Sequence, residues 1–134
     1  MKVYLASPFF TPEQRQYVRE TAQRLRSSGI SVYVPMEHSI KDAWEKPNYQ
    51  WSAEVFAEDV KAIREADRVI AITYGMSDDA GTSWEVGFSY GIGKPITVVA
   101  VNENTTYSLM VYQSADDCTD LDGTPIDLKT ILQS

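Results

Sequence analysis

Four short apolar runs constrain the fold of this chain more than any other feature of its sequence. They are KVYLA at Lys2–Ala6, SVYVP at 31–35, RVIAIT at Arg68–Thr73 and PITVVAV at 95–101. Each run is rich in apolar residues, most of them β-branched in the last two runs, and is bounded by Gly, Pro or polar residues, which is typical of a strand. The last run is apolar enough to predict burial on both faces of a sheet.

A helical pattern follows the first run. Residues 11–14 (TPEQ) place a Thr at the N-cap, a Pro at the first helical position and a Gln three residues after the cap. Val18, Ala22 and Leu25 then fall at i, i+4 and i+7, which forms one inward stripe, and Gly29 is a natural end. The pattern predicts a helix between the first two strands.

A second helix is predicted over residues 52–66, with Phe56, Val60 and Ile63 on its inner face. Beyond residue 102 the patterns favour a short helix in YSLMVYQSA, an edge strand in DDCTDLD and a last helix in IDLKTILQ. Strands that alternate with helices imply a parallel sheet covered on both sides. We therefore predict an α/β fold, a single doubly wound domain over residues 1–134 with about five strands.

Composition excludes several classes of function. The net charge of −7 and the sequence pI near 4.6 disfavour a nucleic-acid polymer as partner, because such binding relies on clustered Lys and Arg. Cys118 is the only cysteine, so neither an intramolecular disulfide nor a Cys-based metal cage can form. No apolar run approaches the ~20 residues of a membrane span, and the N-terminus is not typical of a signal sequence. We expect a cytoplasmic protein without membrane association.

Ligands of open parallel sheets bind beyond the carboxyl ends of the strands, near the point where strand order reverses. This rule selects SPFF after strand one, the loop at 36–50, YGMSDDAGT after strand three and NENTTYSLM after strand four. Acids and aromatic residues gather in these loops. A Rossmann fingerprint and a Walker lysine are both missing from the sequence, so a dinucleotide or triphosphate site has no direct support.

Glu85 admits two interpretations. Residues 82–85 (TSWE) match the S/T-x-x-E capping box, and this pattern alone favours a capping role. Three features favour chemistry: Glu85 enters a helix at the carboxyl end of a strand, Asp79 lies in the same loop, and Gly81 allows a ligand to approach closely. A carboxylate in such a place is suited to nucleophilic work.

Asp59 is the second candidate acid. It borders the apolar stripe of the second helix, so partial burial would raise its pKa and let it hold or deliver a proton near neutral pH. A solvated acid paired with Lys61 or Arg64 is an equally good interpretation of its position. Asp78 is better explained as a solvated loop residue than as a ligand contact.

Three segments resemble the nucleoside 2-deoxyribosyltransferase family: YLASPFF at 4–10, EDVKAIREADRVIA at 58–71 and DDAGTSWEVGFSYGIGKPI at 78–96. The D-x-G-x-x-x-E-x-G core followed by GKP is the most specific part. The resemblance implies a flavodoxin-like sheet and an enzyme that moves the 2-deoxyribosyl group between bases of 2′-deoxynucleosides. Purine and pyrimidine bases, free or in 2′-deoxynucleosides, are the implied partners.

The resemblance also implies roles for individual residues. Glu85 would attack C1′ of the nucleoside, Asp59 would protonate the leaving base, Asp79 would bind the sugar hydroxyls and Tyr4 would orient Glu85. Paired carboxylates suit this chemistry, since one traps the oxocarbenium-like sugar and the other supplies a proton. No metal or organic cofactor is required.

Aromatic residues offer stacking surfaces for a base, since aromatic faces accept any nucleobase. Phe9, Phe10 and Trp51 are the candidates, although a place in the core is the commoner fate of such residues. His38 is the only histidine, and a loop or surface role suits it better than catalysis because the scheme needs no imidazole.

The family pattern places an N-L-M segment after the fourth strand, and here that segment is Ser108, Leu109 and Met110. The resemblance implies that Ser108 and Met110 complete the site of a neighbouring subunit, hence a homo-oligomer. A Ser near this place also occurs in related hydrolases. Two alternatives therefore stay open: a 2′-deoxynucleoside 5′-monophosphate N-glycosidase and a non-catalytic nucleoside-binding module.

Overall fold

The structure, a computed structural model, describes residues 1–38, 45–75, 79–101 and 108–133. Asp78, residues 39–44 of the loop at 36–50 and residues 102–107 of the loop after the fourth strand lie outside the described residues.

Strands and helices alternate along the described chain, as the apolar runs predict. The strands are β1 (Lys2–Ala6), β2 (Ser31–Tyr33), β3 (Arg68–Thr73), β4 (Ile96–Ala100), β5 (Asp117–Thr119) and β6 (Pro125–Ile126). The helices are α1 (Pro12–Ser27), α2 (Asn48–Glu65), α3 (Ala80–Gly91), α4 (Leu109–Gln113) and α5 (Leu128–Gln133), and a 3-10 turn spans Pro35–Glu37. The TPEQ motif forms the capping box that its sequence predicts.

Within the described ranges, the strands form one six-stranded sheet of order β2-β1-β3-β4-β5-β6. Strands β1 to β5 pair in parallel, and β6 pairs antiparallel with β5. The predicted α/β fold with a flavodoxin-like sheet is confirmed. The chain leaves β1 for β2 on one side and returns to β3 on the other, so the crevice for a ligand opens beyond β1 and β3.

Strand β6 was not predicted, and it makes β5 an interior strand instead of the expected edge. A tight turn over 120–124 joins the two strands. Oδ1 of Asp120 accepts hydrogen bonds from the backbone N–H groups of Asp122 and Thr124, each at 2.9 Å. Gly123 follows with a φ of 87°, a left-handed conformation that favours glycine. The DLDGT sequence is therefore a turn that folds a short strand back onto β5.

The two faces of the sheet bury different clusters of side chains, because successive residues of a strand point to opposite faces. In β1, Val3 and Leu5 pack toward α1 and join its predicted stripe. Tyr4 and Ala6 point to the other face, which α2, α3 and α4 cover. Helices α2 and α3 therefore lie on the same face of the sheet as the Tyr4 side chain.

Two predicted boundaries and one predicted core residue are wrong. Strand β2 ends at Tyr33, because Pro35 begins the 3-10 turn, and α2 begins at Asn48, directly after Pro47. Ile63 is fully buried and Val60 half-buried, as expected of an inner face, but Phe56 is 56% exposed. Phe56 packs edge-on against the Trp84 ring of α3 instead of entering the core.

Candidate active site

A buried tyrosine holds the central carboxylate of the site. Tyr4 has no exposed surface, and its hydroxyl donates a hydrogen bond to Oε2 of Glu85 on α3. Burial and the nearby Glu85 charge raise the pKa of Tyr4 well above its usual range, so this hydroxyl stays protonated and acts as the donor. Strand β1 and helix α3 thus meet through this pair.

Glu85 does not cap α3. The helix begins at Ala80, and the N-cap is Asp79, whose Oδ2 accepts from the Thr82 backbone N–H at 3.0 Å and from the Thr82 hydroxyl at 3.3 Å. The predicted capping box at residues 82–85 is therefore wrong, because Asp79 supplies a strong cap three residues earlier. Glu85 lies in the second turn, where its carboxylate has no capping role.

The environment of Glu85 disfavours its charged form. Burial raises the pKa of Glu85 to about 7, and the negative charges of Asp59 and Asp79 act in the same direction. The hydrogen bond from Tyr4 opposes these effects, because it stabilises the ionised carboxylate. A carboxyl group poised near neutral pH, in a crevice and beside other acids, is typical of a functional site.

Asp59 lies on α2 and is half-buried. Burial raises its pKa, as does the charge of Glu58, while a hydrogen bond from the Tyr33 hydroxyl at 3.5 Å acts in the opposite direction. The two cations considered as partners of Asp59 make other contacts. Nζ of Lys61 lies 4.0 Å from Oε1 of Glu65, and the Arg64 guanidinium lies over the Phe88 ring. Asp59 is thus a partly desolvated acid at the crevice.

Both acids line one open cavity of about 520 Å³ between α2 and α3. This volume is within the range of ordinary small-molecule sites, and the walls are mainly apolar and aromatic. The lining residues are Trp51, Ser52, Val55, Phe56, Asp59, Val60, Ile63, Ala80, Gly81, Trp84 and Glu85. The arrangement places two carboxyl groups, those of Asp59 and Glu85, beside a surface on which a flat ring can stack.

Gly81 lies in this lining, and its lack of a side chain also serves the helix cap. A Cβ at this position would come 2.9 Å from Oδ2 of Asp79, closer than side chains tolerate. Glycine at this position therefore leaves room for the capping carboxylate of Asp79 and adds no side chain to the cavity lining. The Asp79 side chain is partly exposed.

The structure does not bring the other sequence candidates into the cavity. The rings of Phe9 and Phe10 stack on each other and both are exposed, so neither belongs to the core. Ser108 caps α4 by accepting from the backbone N–H of Val111 at 3.5 Å, and Met110 is 75% exposed. In the described part of the chain, the cavity lining comes from α2 and α3 alone.

Two residues at the site were not predicted. Trp84 forms part of the cavity wall and stacks on Phe88, and Tyr33 of β2 contacts Asp59. Tyr33 lies directly opposite Tyr4 in the parallel β1–β2 pair, and the two rings stack. The only sequence signal for Tyr33 was its place in the second predicted strand, which does not give the register.

Among the residues that the structure describes, no group of three or more His, Cys, Asp or Glu side chains is arranged to hold a metal ion. None of the described helices is both long enough and apolar enough to cross a membrane.

Sequence comparison decides the family. Residues 3–128 match the family model described as nucleoside 2-deoxyribosyltransferase. The chain belongs to this family. A nucleoside deoxyribosyltransferase of Limosilactobacillus fermentum is 28% identical over 109 residues, which are 73% of this chain and 64% of that protein. The chain thus matches less than two thirds of the length of this curated relative.

Solved structures agree with this family assignment. A 2-deoxyribosyltransferase from the psychrotolerant bacterium Bacillus psychrosaccharolyticus is 32% identical, with a TM-score of 0.83 over 98% of this chain and 96% of that chain. A CMP N-glycosidase of Clostridium botulinum is 20% identical, with a TM-score of 0.62 over 99% and 96% of the two chains. The second likeness shows only that the two proteins share a fold.

Proposed function

We propose that this family member transfers the 2-deoxyribosyl group from a 2′-deoxynucleoside to a second purine or pyrimidine base. The observation that carries the proposal is the pair of carboxylates, Glu85 and Asp59, in the cavity between α2 and α3. Two relatives, from Limosilactobacillus fermentum and Bacillus psychrosaccharolyticus, are named as deoxyribosyltransferases, which supports it.

Glu85 is the nucleophile in this scheme. A carboxylate oxygen attacks C1′, the bond from C1′ to the base nitrogen breaks, and the bonding electrons stay on the departing base. The sugar is left as an ester of Glu85. A second base then attacks C1′ from the face that the first base vacated, the ester bond from C1′ to Glu85 breaks, and its electrons return to the carboxylate. Two displacements therefore retain the configuration. The carboxylate must be ionised for the first step, so the reactive fraction of Glu85 grows as the pH rises through its pKa of about 7.

Asp59 is the proton donor. A purine or pyrimidine leaves poorly as an anion, so the Asp59 carboxyl delivers its proton to the base as the glycosidic bond breaks. It then accepts a proton from the incoming base, which restores the starting state. Burial raises the pKa of the Asp59 carboxyl, which favours the protonated form that this step requires.

Tyr4 and Asp79 position the reactants. The Tyr4 hydroxyl fixes Oε2 of Glu85, which leaves Oε1 to form the bond to C1′. Asp79 caps α3 through Oδ2 and offers Oδ1 to a sugar hydroxyl. Trp51 and Trp84, which line the cavity, provide faces for the base.

The exposed segment at the start of α4 completes the site of a neighbouring subunit in this proposal. Met110 and Leu109 are exposed on the single chain, as expected of residues that a second copy covers. Ser108 precedes them as the cap of α4. The active protein is thus a homo-oligomer, whose size can be measured by sedimentation.

The test is a product analysis after incubation with thymidine and adenine. Transfer yields 2′-deoxyadenosine and thymine in equal amounts, which is the expected result. Free thymine and 2-deoxyribose without a new nucleoside would identify a hydrolase and contradict the proposal. Absence of turnover, with nucleoside binding retained, would identify a binding module. A parallel reaction with thymidine 5′-monophosphate shows whether a phosphate is preferred.

A further inference from the structure

We infer that Tyr33 is a positioning residue for Asp59, acting as the counterpart of Tyr4 at Glu85. The inference rests on the proposed function, because it assigns Tyr33 to the proton-donating half of that reaction. Two tyrosines of adjacent strands would then each hold one of the two carboxylates.

The geometry of the sheet places the two tyrosines together. Tyr4 and Tyr33 are direct partners in the parallel register of β1 and β2, so their side chains leave the same face of the sheet. Their rings lie 5.6 Å apart and 12° from parallel. Their hydroxyls diverge to different helices: that of Tyr4 reaches Glu85 on α3, and that of Tyr33 reaches Asp59 on α2.

The ring of Tyr33 stacks on two other rings. Besides Tyr4, it packs against His38, just after the 3-10 turn, with centroids 4.1 Å apart and an interplanar angle of 8°. These two ring contacts restrict rotation of the Tyr33 side chain away from Asp59. Its hydroxyl lies 3.5 Å from Oδ1 of Asp59, a long hydrogen bond of the kind that shortens when substrate binds.

The contact between Tyr33 and Asp59 matters because proton delivery depends on the orientation of the Asp59 carboxyl group. Asp59 lies on a half-exposed helix face, and the aspartate side chain can rotate about two bonds. A donor at Oδ1 fixes one oxygen and directs the other toward the cavity. The contact also stabilises the ionised form of Asp59, whose charge is further influenced by Glu58 on its own helix, by His38 beside β2 and by Glu85 on α3.

The decisive variant is Tyr33→Phe, which keeps the stacked ring and removes only the hydroxyl. Its kcat/KM is measured with 2′-deoxyguanosine and with 7-methyl-2′-deoxyguanosine, each with adenine as acceptor. The methylated base already carries a positive charge and leaves without a proton from the enzyme. We expect the ratio of kcat/KM for 2′-deoxyguanosine to that for the methylated substrate to fall by about ten-fold or more.

Two matched variants separate positioning from general damage. Tyr4→Phe removes the hydroxyl from the nucleophile, which both substrates need, so it slows both and leaves their ratio near that of the wild type. Tyr17→Phe removes an exposed hydroxyl that bonds Glu13 on α1 at 3.0 Å, away from the cavity, and leaves the ratio unchanged.

A pH profile gives an independent readout. Because the Tyr33 hydroxyl lowers the pKa of Asp59, its removal raises that pKa. The limb of the pH profile for 2′-deoxyguanosine that reports the ionisation of Asp59 therefore moves to higher pH in Tyr33→Phe. A wild type that turns over both substrates, with an unchanged ratio and an unmoved limb in the variant, overturns the inference alone. A wild type without turnover removes the proposed function, and the inference with it.

Discussion

The two faces of the sheet differ in what they bury. The face toward α1 is an aliphatic cluster that includes Val3, Leu5 and Leu25. The opposite face also buries a hydrophobic cluster, but there the hydroxyls of Tyr4 and Tyr33 contact two acids of the cavity, Glu85 and Asp59. Successive residues of one strand thus serve stability on one side and function on the other. The two faces should respond to mutation in opposite ways.

The largest effect is expected at Glu85, the proposed nucleophile. Glu85→Ala should lower kcat for deoxyribosyl transfer by at least about 10³-fold, because the variant lacks the carboxylate oxygen that attacks C1′ in the proposed scheme. The variant should keep the circular dichroism spectrum of the wild type, since Glu85 does not cap α3. Wild-type rates in a folded Glu85→Ala protein would exclude Glu85 as the nucleophile.

The next effect concerns Asp59, the proposed proton donor. Asp59→Asn keeps the shape of the side chain and removes its proton chemistry, so kcat should fall by about 10²- to 10⁴-fold for bases that leave poorly. Steady-state rates across substrates with bases of increasing acidity should show a smaller loss as the leaving base improves. An equal loss for every base would contradict the role of Asp59 as acid.

The α1 face should show the reverse behaviour. Leu25→Ala removes a buried side chain far from the two acids, so the free energy of unfolding should fall by about 2–5 kcal/mol. Urea denaturation measures this loss, and kcat of the folded fraction should stay near that of the wild type. A large loss of kcat without loss of stability would mean that the two faces are not separate in function.

A smaller effect is expected in the pH dependence of stability, because Glu85 is buried in the folded protein. The pKa of Glu85 is raised from 4.5 to about 7 in the folded protein, so the folded state holds a proton that the unfolded state releases. The free energy of unfolding therefore falls as pH rises through this window, by up to about 3 kcal/mol from this group alone.

Glu85→Gln tests this linkage, because the amide can still accept the hydrogen bond from Tyr4 and carries no charge. Relative to the wild type, the variant should be more stable at pH 8 and nearly equal at pH 4, as measured by urea denaturation at both pH values. A wild type that matches the variant at pH 8 would show that burial does not disfavour the charge of Glu85.

Much of the fold could be predicted because its signals are local. The apolar runs gave β1, β3 and β4 closely, and the TPEQ motif gave the start of α1. The turn that creates β6 was missed, because two residues paired with one edge carry almost no pattern of their own.

Local sequence patterns predicted less of the candidate site. Asp79 and Thr82 are both good caps, and the sequence does not show which of them begins α3. Phe56 fits the apolar stripe of α2, yet it lines a cavity there, which periodicity cannot distinguish from a core. The role inferred for Tyr33 depends on the register between β1 and β2, a tertiary property.

The central claim is that Glu85 forms a bond to the sugar, and peptide mapping of the enzyme tests it most directly. The protein is mixed with a 2′-deoxynucleoside, denatured in acid during turnover, digested and analysed by mass spectrometry. The account predicts a 2-deoxyribosyl adduct on the peptide that contains Glu85, and its absence from Glu85→Gln. An adduct on another residue, or none in an enzyme that is turning over, would contradict it.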